Sequence, residues 1–257
     1  MARPELVSWA QPLLPSRPAA TMARESPMSS RHTPFFELQA ALGEAGCPIC
    51  ALTARTVERF FGGLVYERVN DVGLRESIRR ALGLCAAHGA MLREARSALG
   101  IAIVQRDVLR AAAAAIRPEA AVARGGWRET LLGARPADPL APGGPCVACR
   151  LADETVAHWA GVLGQHYAEL RPQFQSSGGL CLGHLRAALP VAPAGAAAQL
   201  RDDQLAIWAR LEAELDEFIR KHDHQFAGED VGEERDAWAR ATELLAGDWR
   251  VAGSRRG

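Results

Sequence analysis

Apolar positions recur along this chain at the spacing of helices. Between residues 51 and 69, Leu52, Val57, Phe60, Phe61, Leu64 and Val65 share one face, and Arg55, Glu58, Arg59 and Glu67 fill the other. A short stripe of Phe36, Leu38 and Leu42 precedes it and stops at Gly46, a glycine placed to end a helix. After Asn70, Asp71 and Gly73, a shorter helix carries Leu74, Ile78 and Leu82. A further helical pattern runs from Leu84 through Met91, Leu99, Val104 and Val108 to Ile116, stopping before Pro118. Leu151, Trp159, Val162, Leu163, Tyr167 and Leu170 repeat the theme up to Pro172, and a short helix spans about 180–189. The most periodic segment holds Leu200, Leu205, Trp208, Leu211, Leu215, Phe218 and Ile219, and a last helix holds Trp238, Leu244 and Leu245. With aromatic residues only 6% of the chain and alanine abundant, helices packed through small and aliphatic side chains are favoured over a β-sandwich, so the expected fold class is all-α.

Composition adds the environment. Hydrophobic residues make up 48% of the chain and charged residues 23%, ordinary globular values, and the formal net charge is zero. No stretch approaches the ~20 apolar residues of a membrane span, and the N-terminus lacks the apolar core of a signal peptide. The expected location is the cytoplasm, with no membrane contact. In that reducing compartment cysteines serve as metal ligands or redox groups rather than as disulfides.

All six cysteines fall into one pattern written twice. Cys47-Pro48-Ile49-Cys50 is followed after 34 residues by Cys85-Ala86-Ala87-His88; Cys146-Val147-Ala148-Cys149 is followed after 31 residues by Cys181-Leu182-Gly183-His184. Each Cys-x-x-Cys turn points two sulfurs at one point, each Cys-x-x-His sets its partners side by side on the first turn of a helix, and two such pairs complete a tetrahedral site. The pattern predicts two zinc ions, each held by three cysteines and one histidine and closed to water, so structural rather than catalytic. An iron–sulfur cluster is the minor alternative. Within each copy one helical hairpin joins the half-sites, so Cys47 and Cys50 are expected to meet Cys85 and His88, and Cys146 and Cys149 to meet Cys181 and His184. His158 and His166 read as core-edge or surface histidines.

These signals divide the chain into a disordered lead (1–33, in which Met22 and Met28 are alternative starts), a first zinc-binding helical repeat (34–132) and a Pro/Gly linker (133–145). A second repeat (146–197), C-terminal helices packed on the repeats (198–247) and a frayed tail (248–257) complete it. The architecture expected is two duplicated zinc-clamped helical hairpin units plus a C-terminal helical pair. Charge is uneven: residues 54–128 carry 13 arginines and 7 acids, and residues 199–247 carry 13 acids and 6 bases. Packing of the acidic helices beside the basic first half is the expected use of this asymmetry, ahead of a nucleic-acid surface.

The doubled motif, the later Phe218-Ile219-Arg220-Lys221-His222-Asp223 and Trp238-Ala239-Arg240-Ala241 together resemble an uncharacterised bacterial family, domain-of-unknown-function family 6062. The resemblance covers Phe35 to about Gly247. It implies placement rather than mechanism, and it carries over the eight ligands and the Phe-Ile-Arg-Lys-His-Asp segment. Val147 departs from the pattern, standing where the first copy has Pro48. No Gly-rich phosphate loop, nucleophile elbow or His-Glu-x-x-His motif is present. The reading that follows is a non-enzymatic binding or scaffold module for a macromolecular partner, a protein rather than a nucleic acid. Two alternatives stand beside it: an enzyme with a site around Arg220, Lys221, His222 and Asp223, those four being the possible functional surface, or a thiol-based zinc redox sensor.

Overall fold

A computed structural model describes residues 33–117, 138–226, 228–248 and 250–251. The expected lead except Thr33, which opens a helix, the end of the expected first repeat with the first part of the linker, and the end of the tail (1–32, 118–137 and 252–257) lie outside the described residues. Among the described residues the fold is all-α, with nine α-helices. They are α1 (Thr33–Leu42), α2 (Pro48–Tyr66), α3 (Val72–Arg80), α4 (Ala86–Glu94), α5 (Ala98–Ala115), α6 (Val147–Ser176), α7 (Leu182–Ala188), α8 (Ala194–Lys221) and α9 (Ala237–Ala246).

The two long helices that begin at the Cys-x-x-Cys motifs, α2 and α6, pack against each other. Cys146–Ala152 at the start of α6 share a core with Val57, Phe61, Leu64 and Val65 in the later part of α2. Past the end of α6, Gly178 lies against Gly46, just before α2 begins. The two helices therefore run antiparallel. One core, with Ile78, Met91, Leu92 and Val104 from α3, α4 and α5, surrounds the later part of α2. A second joins α1, the first turns of α2, the body of α6, α7 and α8 through Leu38, Ile49, Leu163, Tyr167, Phe174, Leu185 and Leu200. Where α5 crosses α2 the backbones touch, because a Cβ on Gly100 would lie 2.3 Å from the Val65 carbonyl oxygen. Only glycine fits that crossing.

The C-terminal helices depart from their apolar pattern. Leu205, Ile219, Trp238 and Leu245 face outward, whereas Asp203 and Gln204 are buried. Asp203 is satisfied there by four donors: Tyr167 OH at 2.8 Å, Arg171 Nε at 2.7 Å and Nη2 at 3.1 Å, and Gln175 Nε2 at 2.8 Å. A carboxylate supplied with that many donors can occupy a core position that periodicity reserves for leucine. The Arg171 guanidinium, chiefly, holds its pKa down to about 2 against the opposing effect of burial.

The expected pairing of acidic C-terminal helices with the basic first half is not what the ion pairs show. Arg220 binds Glu217 and Glu229, Lys221 binds Glu234, and Arg240 binds Glu214 and Asp236, all within the C-terminal third. First-half arginines likewise pair locally, Arg55 with Glu44, Arg68 with Asp71, Arg75 with Asp107 and Arg79 with Glu76. Short-range partners along and between neighbouring helices outcompete a long-range match of net charge, which solvent screens.

Candidate metal centres

The four half-sites are built alike. Cys47, Cys85, Cys146 and Cys181 are each the N-cap of a helix, of α2, α4, α6 and α7 in turn, and none uses its side chain to cap a backbone N–H. Each cap carbonyl accepts the first helical hydrogen bond, from Ala51, Gly89, Arg150 and Leu185. The second residue of each pair, Cys50, His88, Cys149 or His184, is the third residue of its helix, one turn on from the cap, so both side chains lean to the same point. Pro48 at the first helical position presets the turn in α2, since its missing N–H would have had no helical partner.

Folding brings these half-sites together in two clusters, Cys47, Cys50, Cys181 and His184 in one and Cys85, His88, Cys146 and Cys149 in the other, with the ligand atoms of each within 4.8 Å of one another. All eight predicted ligands are thus gathered, but the expected pairing within each copy is wrong. The Cys-x-x-Cys of one copy faces the Cys-x-x-His of the other. Helix length supplies the reason. From Cys149 to Ser176 helix α6, kinked at His166, advances up to about 40 Å, while residues 177–181 can return at most about 18 Å. Cys181 cannot come back to the helix start that bears Cys149. It meets instead the start of the antiparallel α2.

In the first cluster His184 Nδ1 lies 3.4 Å from Cys47 Sγ, 3.3 Å from Cys50 Sγ and 3.2 Å from Cys181 Sγ, and Cys50 and Cys181 sulfurs are 3.7 Å apart. In the second, His88 Nδ1 lies 3.3 Å from Cys85 Sγ, 3.6 Å from Cys146 Sγ and 3.3 Å from Cys149 Sγ, with Cys85 and Cys149 sulfurs 3.6 Å apart. A tetrahedron with arms of 2.3 Å to sulfur and 2.0–2.1 Å to nitrogen has edges of about 3.8 Å between sulfurs and about 3.5 Å from sulfur to nitrogen. The observed edges fit one ion at the centre of each set. They are far longer than a disulfide bond of ~2.05 Å, and none of the six cysteines is in a disulfide.

Charge is shared unevenly within the clusters. In the first cluster the Cys181 thiol is pushed far down, first by its neighbours Cys47 and Cys50, while Cys50 is pushed up by Cys181, Cys47 and burial. Negative charge collects on one sulfur and a proton stays on another. His184 is raised to about 9: burial opposes its positive form, but Cys181 and Cys47 outweigh it. In the second cluster burial raises the Cys146 pKa, yet hydrogen bonds from His88 and from the backbone at Cys85, Cys149 and Ala148 bring it down to about 6. A divalent ion would take over the compensating role of these protons.

The segment Arg220–Asp223 is organised differently. Arg220 lies over the Phe226 ring, 4.5 Å from its centroid, and is clamped by Glu217 and Glu229. Lys221 reaches Glu234 Oε1 and the Asp230 carbonyl oxygen, both at 2.8 Å. Cations at a helix C-terminus are expected to sit in solvent and offset the helix dipole; that expectation fails for Lys221, whose side chain is only 13% exposed. These residues fasten the loop 229–234 to the end of α8. His222 is exposed, with Nδ1 2.7 Å from the Phe218 carbonyl, and Asp223 Oδ1 accepts from the Gln225 N–H. Sequence reasoning missed the neighbours of the clusters at the C-terminus, where Arg250 presents its carbonyl 3.2 Å from His88 Nε2 and Gly247 and Val251 lie against Cys181 and Cys50. A backbone carbonyl and a glycine leave no signal in a motif.

Fold and clusters define a class, an all-α protein with two buried sets of three cysteines and one histidine capable of holding metal. The model of DUF6062, described as a family of unknown function, matches residues 37–252, and the chain belongs to that family. It is also similar to the uncharacterized 23.9 kDa protein in the xynA 3′ region of Caldicellulosiruptor sp. (strain Rt8B.4), 39% identical over 67 residues, which are 26% of this chain and 32% of that protein. The match thus spans about a third of that relative's length. No solved structure matches the chain. Among the described residues no helix is long and apolar enough to cross a membrane.

Proposed function

We propose that the protein is a zinc-stabilised helical module, with two structural zinc ions tying the two sequence copies to each other, and that it serves in the cytoplasm as a binding or scaffold protein for another protein. The observation that carries the reading is the closed donor set. Each cluster offers four ligand atoms within 4.8 Å of one another, a full set for one tetrahedral ion with no position left for water or substrate. The compactness of each set favours a single ion over an iron–sulfur cluster, whose ligands stand around several atoms and so farther apart. A protein partner is preferred to a nucleic acid because Arg55, Arg68, Arg75 and Arg79 already hold carboxylates. Bound to the eight ligands, zinc would supply cross-links, and the chain's own part is to aim four helix starts, whose positive ends favour thiolates, at two points.

Elemental analysis of protein purified under reducing conditions tests this directly. Two zinc ions per chain and no visible absorption are expected; a brown protein with iron and labile sulfide contradicts it. A redox-responsive variant of the reading has one observation in its favour: Cys47 and Cys85, one sulfur in each cluster, are only half-buried.

A further inference from the structure

The residues following α9 touch both clusters. Gly247 has φ +75° and ψ −179°, a conformation open in practice to glycine alone, and a Cβ there would lie 3.3 Å from Cys181 Sγ and 3.9 Å from Cys50 Sγ. Val251 is buried against Cys50, Ala54 and Cys181. Between them the Arg250 carbonyl oxygen stands 3.2 Å from Nε2 of the fully buried His88. Gly247 and Val251 thus both lie on the first cluster, and the Arg250 carbonyl between them reaches the second, three residues or at most about 11 Å of chain from Gly247. The Arg250 side chain secures it, with Nε on Asp248 at 2.8 Å and Nη1 on Glu58 of α2 at 3.0 Å.

We infer that Gly247, Arg250 and Val251 form a strap of positioning residues shared by the two clusters, and that it couples metal binding at one to metal binding at the other. The inference rests on the reading of the clusters as metal sites. Its chemistry follows from the histidine. With a metal on Nδ1, which faces three sulfurs, His88 would carry its proton on Nε2, and the Arg250 carbonyl, 3.2 Å away, would accept that proton's hydrogen bond, fixing tautomer and ring orientation. On either side of Arg250, Gly247 and Val251 cover Cys50 and Cys181 and exclude water from their sulfurs. Binding at either cluster holds the strap in place, and a strap already in place lowers the ordering cost of binding at the other.

The test uses the full chain and zinc itself. Wild-type protein is first shown to hold two zinc ions; failure at this step removes the metal reading and the strap's role with it. Gly247→Val, whose side chain would press on Cys181, and Arg250→Ala, which keeps the carbonyl but frees the segment from Glu58 and Asp248, are then compared by zinc competition against a chromophoric chelator. Solvent exchange of the His88 Nε2 proton is followed by NMR. Gly247→Val is expected to weaken both zinc sites at least tenfold, within the 10–100-fold range of such outer contacts, and to speed exchange at His88, which Gly247 does not touch. Arg250→Ala is expected to speed that exchange with helix content unchanged, and Arg250→Lys to restore part of the protection. Two zinc sites of wild-type affinity in both variants, or an effect of Gly247→Val confined to the first cluster, would overturn the coupling while leaving the metal reading intact.

Discussion

Cys50 and Cys181 stand 131 positions apart, and their sulfurs meet at 3.7 Å. Neither belongs to the same sequence copy as the other, so the bond a metal would make between them joins the two halves of the chain. Each half carries two incomplete sites and completes them only with the other. The two copies are therefore one folding unit, and metal removal acts on both at once.

Chelation is expected to unfold the protein rather than merely inactivate it. A structural zinc contributes on the order of 10 kcal/mol coupled to folding, against a net stability of roughly 5–15 kcal/mol for a typical domain. Circular dichroism during titration with a strong chelator should show loss of helix in step with loss of metal. Retention of full helicity and an unchanged Tm in the metal-free protein would show that the hydrophobic cores suffice alone.

Asp203 gives a pH-dependent contribution whose sign can be worked out. Its folded pKa of about 2 lies below the ordinary 3.8, so the unfolded chain binds its proton first as pH falls. The stabilisation is complete above pH 4 and is lost as pH drops from about 4 towards 2. Asp203→Asn should cost roughly 1–3 kcal/mol at pH 7, because the buried donors of Tyr167, Arg171 and Gln175 lose acceptors. That difference should shrink towards pH 2 in denaturant titrations at several pH values. A cost independent of pH across this window would assign it to packing.

Lys221→Ala should lower the Tm by a few degrees and leave the metal count at its wild-type value. Lys221 is the partner of Glu234, which is 6% exposed, and its removal leaves that carboxylate with backbone donors alone. His222→Ala, at an exposed position, should leave both quantities nearly unchanged. Calorimetry with elemental analysis on the same samples separates the two, and loss of zinc in either variant would tie this segment to the clusters.

The helices and the eight ligand residues could be read from the chain because each rests on local chemistry: periodic apolar faces, and paired ligands on the first turn of a helix. The pairing of half-sites was within reach as well. A long helix from Val147 to Ser176, even kinked at His166, cannot return Cys181 to Cys149 over five residues, and the apolar positions from Leu151 to Leu170 already implied such a helix. Other features lay beyond sequence patterns. Asp203 and Gln204 are buried through donors contributed by distant positions, among them Tyr167 and Arg171 and, for Gln204, the backbone N–H of Leu180. The strap acts through a carbonyl oxygen and the absence of a side chain. Lys221 looked like a solvated cation at a helix end because its partner, Glu234, arrives from a loop thirteen residues later.

The central claim, two metal sites that cross between the copies, is tested most directly by counting metal ions in two double variants, by native mass spectrometry. Cys50→Ser with Cys181→Ser alters one cluster only and should leave one zinc per chain. Cys50→Ser with Cys85→Ser alters both clusters and should leave none. The reverse order, one ion kept when Cys50 and Cys85 are replaced and none when Cys50 and Cys181 are, would contradict the crossed arrangement and restore pairing within each copy.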